Sequence, residues 1–297
     1  LIQSELSDIT AAKLVIGDDS AGKMYIDGIT LSHISGGITL NSSGSSGSVE
    51  FGTGDTTIKK VTINAGNGIT VNGDLATTST STFNADYDDS GTGTFTMATG
   101  KALTSGDNAS ISIVADDIAV SGTISSGTGS TTIAVSDGGT IGLGGTAGNM
   151  TLTGAELANI TAGTLNIGDS STGNITVDGI SAANSNNVTT VNLTTASASS
   201  VSFSNNASTF KGLAVSSGNG ISQGVNVTTS NTTTLDADSN NDGSGDFNNT
   251  AGTISTGGSA LSITANDFGL SGSINTGTGT TTILVSDGGT IGLGSTA

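Results

Sequence analysis

One run of side chains in this sequence has the spacing of a cation ligand set: Asp236, Asp238, Asn240, Asp242 and Asp246, with Gly243 after the fourth. Oxygen donors at alternate positions followed by a glycine let a loop wrap a hard cation. Read from Asp238, the pattern D-x-N-x-D-G-x-x-D follows the first nine positions of an EF-hand loop. The bidentate glutamate of position twelve is missing, because Asn249 stands there. The matching positions earlier in the chain are Asn84, Asp86, Asp88, Ser90 and Thr94, which carry fewer charges. The chemistry expected of such a loop is Ca2+ binding. An acidic turn projecting into solvent accounts for the same residues without a ligand, and it is the reading the sequence favours.

Other reactive constellations are thin. His33 is the single histidine, so no histidine metal cluster and no histidine-assisted triad can form within one chain, and a turn or surface position is expected for it. The carboxylate pairs Asp18/Asp19 and Asp116/Asp117 have the residue types for glycosidase acid and base work. Adjacent carboxylates on a strand or turn diverge, however, and their near-repetition at Asp169 and Asp267 fits a structural role. Glycine runs such as Gly66-Asn67-Gly68 and Gly138-Gly139 lack the helix and the Lys-Ser/Thr pair of a phosphate loop and read as turns. Threonine tracts (77–82, 232–234, 280–282) resemble ice-binding faces but are sporadic rather than one pair per repeat. No catalytic residue and no cofactor other than Ca2+ is expected.

The elements that would position these residues are short and polar. Charged residues make up 10% of the chain and aromatic residues 3%, so a packed aromatic core is not what holds it together. Val61–Asn64, Ile69–Asn72, 111–113, 175–177, 201–203, 225–227 and 261–263 alternate apolar and polar residues, the period of a half-buried strand. Turn signals separate them, among them Asp27-Gly28, Asn72-Gly73, Asp137-Gly138-Gly139 and Asp178-Gly179. Only 5–9 and 156–160 look helical, and both are too short to stand alone. Proline is absent, as an uninterrupted hydrogen-bonded ladder requires.

The net charge of −18 leaves nucleic acid or an anionic membrane no electrostatic footprint and makes cations the natural small partners. Cysteine is absent, and no apolar run approaches the length of a membrane helix. Residue 1 is Leu, so the start reads as processed or excised.

The organising feature is an internal repeat. The segment from Ser121 to Ala147 agrees with that from Ser271 to Ala297 at 21 of 27 positions without a gap. The segment from Glu5, ELSDITAAKLVIGDDSAGKMYIDGI, aligns with ELANITAGTLNIGDSSTGNITVDGI from Glu156. The chain therefore divides into two copies, residues 1–147 and 148–297, of a unit of roughly 150 residues, expected to form one continuous solenoid. Joined tail to head, the copies would nearly continue, which suggests about two periods of a longer array. Each unit holds several turns of roughly 20 to 25 residues, the size of a parallel β-helix turn. The fold predicted is all-β, a right-handed parallel β-helix, in preference to an antiparallel sandwich.

The run from Thr151 to Ile180, the segment LDADSNNDGSGDF from Leu235 and the stretch from Ala260 to Ile283 resemble the large filamentous-haemagglutinin-like and autotransporter-like adhesins of Gram-negative bacteria. The resemblance covers both copies. It implies a right-handed β-helix that is secreted to the bacterial cell surface and serves as a structural or adhesive shaft. The partners implied are a host-cell, other-cell or matrix surface. Self-association into a fibre, sheath or surface layer is the close alternative, and a polysaccharide-cleaving solenoid enzyme the distant one.

Overall fold

The computed structural model describes residues 1–293. The chain is all-β, and its strands stack in parallel as a β-solenoid of about 12 turns, each about 23 residues long. Contacts divide it into two compact units, one of residues 1–137 with 155–165 and the other of residues 138–154 with 166 onward.

In the first unit each turn contributes a strand to each of three sheets. The first sheet runs through Leu14–Asp18, Ile38–Ser42, Val61–Ala65, Ser81–Asn84, Ile111–Ala115 and Ser130–Val135. The second holds Met24–Ile26, Val49–Phe51, Ile69–Val71, Thr94–Met97 and Asp117–Val120. The third holds Thr30–Leu31, Thr56–Ile58, Leu75–Thr77, Ala102–Ser105 and Thr123–Ser125. All these pairings are parallel and in register, so like side chains stack from turn to turn. Ile16, Leu40, Ile63, Phe83, Ile113 and Ile133 form one such row, and from Leu40 onward its members are buried. The interior is narrow because every strand is short. Aliphatic residues and a few phenylalanines fill it, with Phe83 and Phe95 in an edge-to-face contact at 5.8 Å.

The second unit repeats the plan: Gly212–Ser216, Thr233–Asp236, Leu261–Ala265 and Thr281–Val285 hold the first-sheet position in its turns, and Ile175–Asp178, Val201–Phe203, Ile221–Gln223, Phe247–Asn249 and Phe268–Leu270 hold the second-sheet position, in a sheet separate from that of the first unit. Outward polar side chains also pair along the stack. Asn64 donates to Asn41 at 2.8 Å and Asn192 donates to Asn166 at 2.9 Å, so the ladder continues in the side chains.

Two local expectations need correction. The segment 225–227 is not a strand; the strand is Val227–Thr229. Gln223 turns its amide onto the Val225 carbonyl, and Asn226 accepts the Thr253 N–H at 2.9 Å, which holds both residues in a corner. Besides the short helices Gln3–Ser7 and Gly154–Ala158 there is a third, Ala182–Ser185. Asn184 starts it by accepting from both the N–H and the hydroxyl of Ser181, a local cap that the alternation pattern does not reveal.

Candidate functional site

The acidic run from Asp236 lies at a corner between the first and second sheets, and the matching run from Asn84 lies at the equivalent corner of the earlier copy. The chain leaves strand Ser81–Asn84, makes an exposed loop through Tyr87, Asp88, Asp89 and Ser90, and returns at Thr94. Positive φ angles at Asp89 and Gly91 fold this loop back on itself, and Asn241 and Gly243 do the same in the later copy.

The first acidic side chain of each loop turns inward. Asp86 has no solvent exposure. It accepts the Ser90 and Gly91 N–H groups, both at 3.1 Å, and the Ser136 hydroxyl at 2.6 Å. Asp238, equally buried, accepts the Asp242 and Gly243 N–H groups at 3.2 Å and the Ser286 hydroxyl at 2.5 Å. Each loop is thus strapped to a serine about 50 residues further along the chain. The sequence-based expectation of a solvated acidic turn is wrong for these two aspartates. Their carboxylates are the buried acceptors around which the loops are built, and buried charge requires such donors.

The rest of the candidate ligand set diverges. Asp242 is exposed and accepts from the Asn240 amide at 2.7 Å and the Ser244 N–H at 3.1 Å. These bonds, led by the Ser244 hydroxyl, hold its pKa below the usual carboxylate value. Asp246 accepts from the Asn266 amide at 3.3 Å. Burial, followed by its neighbour Asp238, raises the pKa of Asp236. Asn249, at the place of the EF-hand glutamate, is a buried strand residue that pairs with Gln223 and accepts the Gly272 N–H at 2.7 Å. Strand geometry has already resumed there, so the loop cannot close as an EF-hand does. Among the described residues no three His, Cys, Asp or Glu side chains converge as a metal-holding group.

Around each strap the acidic residues repel one another. Desolvation and then Asp86, Asp89 and Asp88 raise the pKa of Asp137; desolvation and then Asp86, Asp117 and Asp137 raise that of Asp116. Asp287 in the later copy is raised by burial, Asp238 and Asp242. The other carboxylates noted in the sequence serve turns. Asp18 accepts the Ser20 hydroxyl at 2.7 Å and its N–H at 3.0 Å. Asp169 accepts the Ser171 and Thr172 N–H groups. Its burial opposes ionisation, but these bonds prevail, and both Asp18 and Asp169 are held below the usual carboxylate value.

His33 is an exposed turn residue 3.2 Å from the Ile9 carbonyl. A cavity of about 540 Å3 lies in the first turn, lined mainly by apolar residues together with Gln3 and Asp27.

Sequence reasoning missed Ser136 and Ser286. A signal existed, because VSDGGTIGL occurs unchanged at 135–143 and 285–293, but nothing in the sequence shows that a loop 50 residues earlier reaches that serine. Tyr87, exposed at the tip of the earlier loop, was also missed, and its later counterpart Ser239 offers no repeat to flag it. No protein-family model, no curated protein and no solved structure matches the chain.

Proposed function

We propose that this chain is a segment of the shaft of a secreted bacterial cell-surface adhesin or extracellular fibre, wound right-handed as parallel crossovers are. The observation that carries the reading is the stacking itself. About 12 turns are held by in-register parallel ladders, with the same strapped loop recurring at one corner of each copy of the roughly 150-residue repeat. Such a stack derives its stability from neighbouring turns and lengthens by adding more of them, as a spacer must. Many of its polar side chains are engaged in turn-to-turn bonds and loop caps, which supports a non-enzymatic, structural role. The exposed tips at 87–92 and 239–244 are the surfaces available for contact with a host-cell, other-cell or matrix partner. The net charge of −18 favours neutral or cationic partners over nucleic acid.

The test is immunogold electron microscopy of intact cells that produce the chain, with antibody raised against residues 1–297 and a protease-shaving control. Gold on the outer surface, lost on shaving, is expected. Gold confined to the cell interior would overturn the proposal.

A further inference from the structure

The threonine tracts 77–82, 232–234 and 280–282 are sporadic along the sequence but not in space. In the first unit Thr62, Thr82, Ser112 and Thr132 form one column on the first sheet, paired in parallel register through four consecutive turns. Their neighbours Ile63, Phe83, Ile113 and Ile133 are buried, so the alternation of the strand turns the column outward, and its four members are half-buried. Two residues earlier in the last three of these turns stand Thr80, Ser110 and Ser130, a second hydroxyl column beside the first, in which Ser110 and Ser130 share a hydrogen bond at 2.8 Å. The second unit repeats the arrangement. Thr234 pairs with Ser262 and Ser262 with Thr282, and Thr232 and Thr280 stand two residues before the threonines. Each tract thus supplies one outward pair.

Three features set this face apart from the rest of the surface. In a chain with 24 acidic residues, none falls within strands Val61–Ala65, Ser81–Asn84, Ile111–Ala115 or Ser130–Val135, and no lysine does either. The second unit's face carries one charge, Asp236 at a strand end. Among the described residues the hydroxyls of Thr62, Thr80, Thr82 and Ser112 bond to no protein group, whereas Asn64, Asn84 and Asp86 beside them are engaged in a ladder and a cap. Thr39, in register with Thr62, is 6% exposed and its hydroxyl has no partner in the protein, so an ordered water beside the column is what satisfies it. The third feature is spacing. Parallel strands repeat a side chain about every 4.8 Å along the stack, and two residues span about 6.6 Å along a strand. Both intervals are close to oxygen spacings on the faces of hexagonal ice.

We propose that this face binds ice, its two hydroxyl columns anchoring a layer of ordered water that merges with the crystal surface. Threonine suits the task because its β-branched side chain is stiff at χ1, so the hydroxyl stays where the backbone ladder puts it. Water-bridged hydrogen bonds are nearly as favourable as direct ones, and a grid fixed before contact spares the ordering cost that a mobile surface incurs. The lack of charge matters, because an ionised side chain orders its own hydration shell in a pattern that ice does not share. The inference does not rest on the shaft reading.

The test is partition of the purified chain, at micromolar concentration, into slowly growing ice, read as the ratio of its concentration in ice to that in the remaining liquid. Thr82→Tyr with Thr234→Tyr plants a ring on the central column of both units and is expected to lower that ratio at least fivefold. Ser112→Tyr with Ser262→Tyr, one turn on in the same columns, should lower it alike. Thr96→Tyr with Asn248→Tyr puts the same rings at outward positions of the second-sheet strands and should leave the ratio unchanged. Circular dichroism identifies any pair that fails to fold, and the other column pair then decides. Exclusion of the unaltered chain from ice to the extent of an ordinary soluble protein would overturn the proposal, and retention on cellulose in that case would make the face a polysaccharide site instead. An unchanged ratio in a folded column variant, or an equal loss in the second-sheet variant, would overturn it as well.

Discussion

Removing the Asp86 carboxylate is expected to loosen two segments that are 50 residues apart in sequence. Asp86 accepts two loop amides and the Ser136 hydroxyl, and hydrogen bonds to a charged acceptor are worth about 1.5–3 kcal/mol each. In Asp86→Ala the amides of Ser90 and Gly91, which belong to exposed residues, regain water, so their share of the loss is small. Ser136 is only 5% exposed and keeps a buried hydroxyl without its acceptor, at about 1–3 kcal/mol. The local cost expected is about 3 kcal/mol, a change of roughly two orders of magnitude in the opening equilibrium. Ser136→Ala leaves the carboxylate with its amide partners and should cost about 1–2 kcal/mol. The two losses should be non-additive by at least about 1 kcal/mol, because they share one bond. A stacked solenoid opens locally, so a single melting curve is the wrong assay. Hydrogen exchange read by mass spectrometry on peptides spanning 86–93 and 135–140 reports each side separately. In Asp86→Ala both peptides should exchange faster while those of strand Val61–Ala65 stay protected. If peptide 135–140 keeps its protection, the strap does not carry the coupling and the reasoning fails.

Stability should depend on pH with two opposed limbs. The raised pKa values of Asp116, Asp137, Asp236 and Asp287 mean that the folded chain takes up protons before the unfolded chain does, so their ionisation destabilises the fold and stability rises as pH falls through the folded values toward the unfolded value of 3.8. The lowered values of Asp18, Asp169, Asp178 and Asp242 contribute stability that is present above the unfolded pKa near 3.8 and lost as pH falls through the folded values. Thermal melts from pH 3 to 8 should peak near the unfolded carboxylate value of 3.8, where the two limbs meet, and a melting temperature that climbs steadily to pH 8 would contradict this. Thr77 has a buried hydroxyl without a hydrogen-bond partner, in one inward row with Ile58 and Ser105, so Thr77→Val should be neutral or stabilising by up to about 1 kcal/mol in urea unfolding, whereas a loss above that would reveal a missed partner. Because N–H and O–H donors occupy both oxygens of Asp238, replacing 2 mM calcium by a chelator should leave the melting temperature unmoved; a calcium present at a hundred times its dissociation constant would add about 2.7 kcal/mol, an effect easily seen.

The parts of this molecule that were legible in the sequence are those set by local periodicity. Segments such as Val61–Ala65, Ile111–Ala115 and Leu261–Ala265 announce themselves because alternate residues must face a narrow apolar interior, and the parallel register then follows from stacking like on like. The strapped loops were half legible. Alternating oxygens and a glycine do mark a tight turn, and Asn241 and Gly243 do adopt positive φ there. The pattern is silent on which way a carboxylate points, because that depends on a partner about two turns on. Asp238 looks like an outward ligand until Ser286 is placed beside it. Ala182–Ser185 and the corner at Val225 were hidden for a related reason: each is fixed by one side chain, Asn184 or Gln223, reaching back to the main chain.

The same distinction bears on how this fold tolerates change. A substitution on an outward row alters one rung of a side-chain ladder, as at Asn41 and Asn64, and its neighbours retain their backbone bonds. A substitution at Asp86, Ser136, Asp238 or Ser286 removes a contact that skips a turn, and no backbone ladder substitutes for it. The side chains of Tyr87 and Ser239 take part in neither, although the N–H of each residue donates to the preceding turn, to the Ala65 and Ser217 carbonyls at 2.9 and 3.0 Å. They can therefore vary between copies, as Tyr87 and Ser239 already do, while the strap beneath holds each loop in the same shape. In a repeating solenoid this separation lets loop tips diversify without altering the stack that carries them.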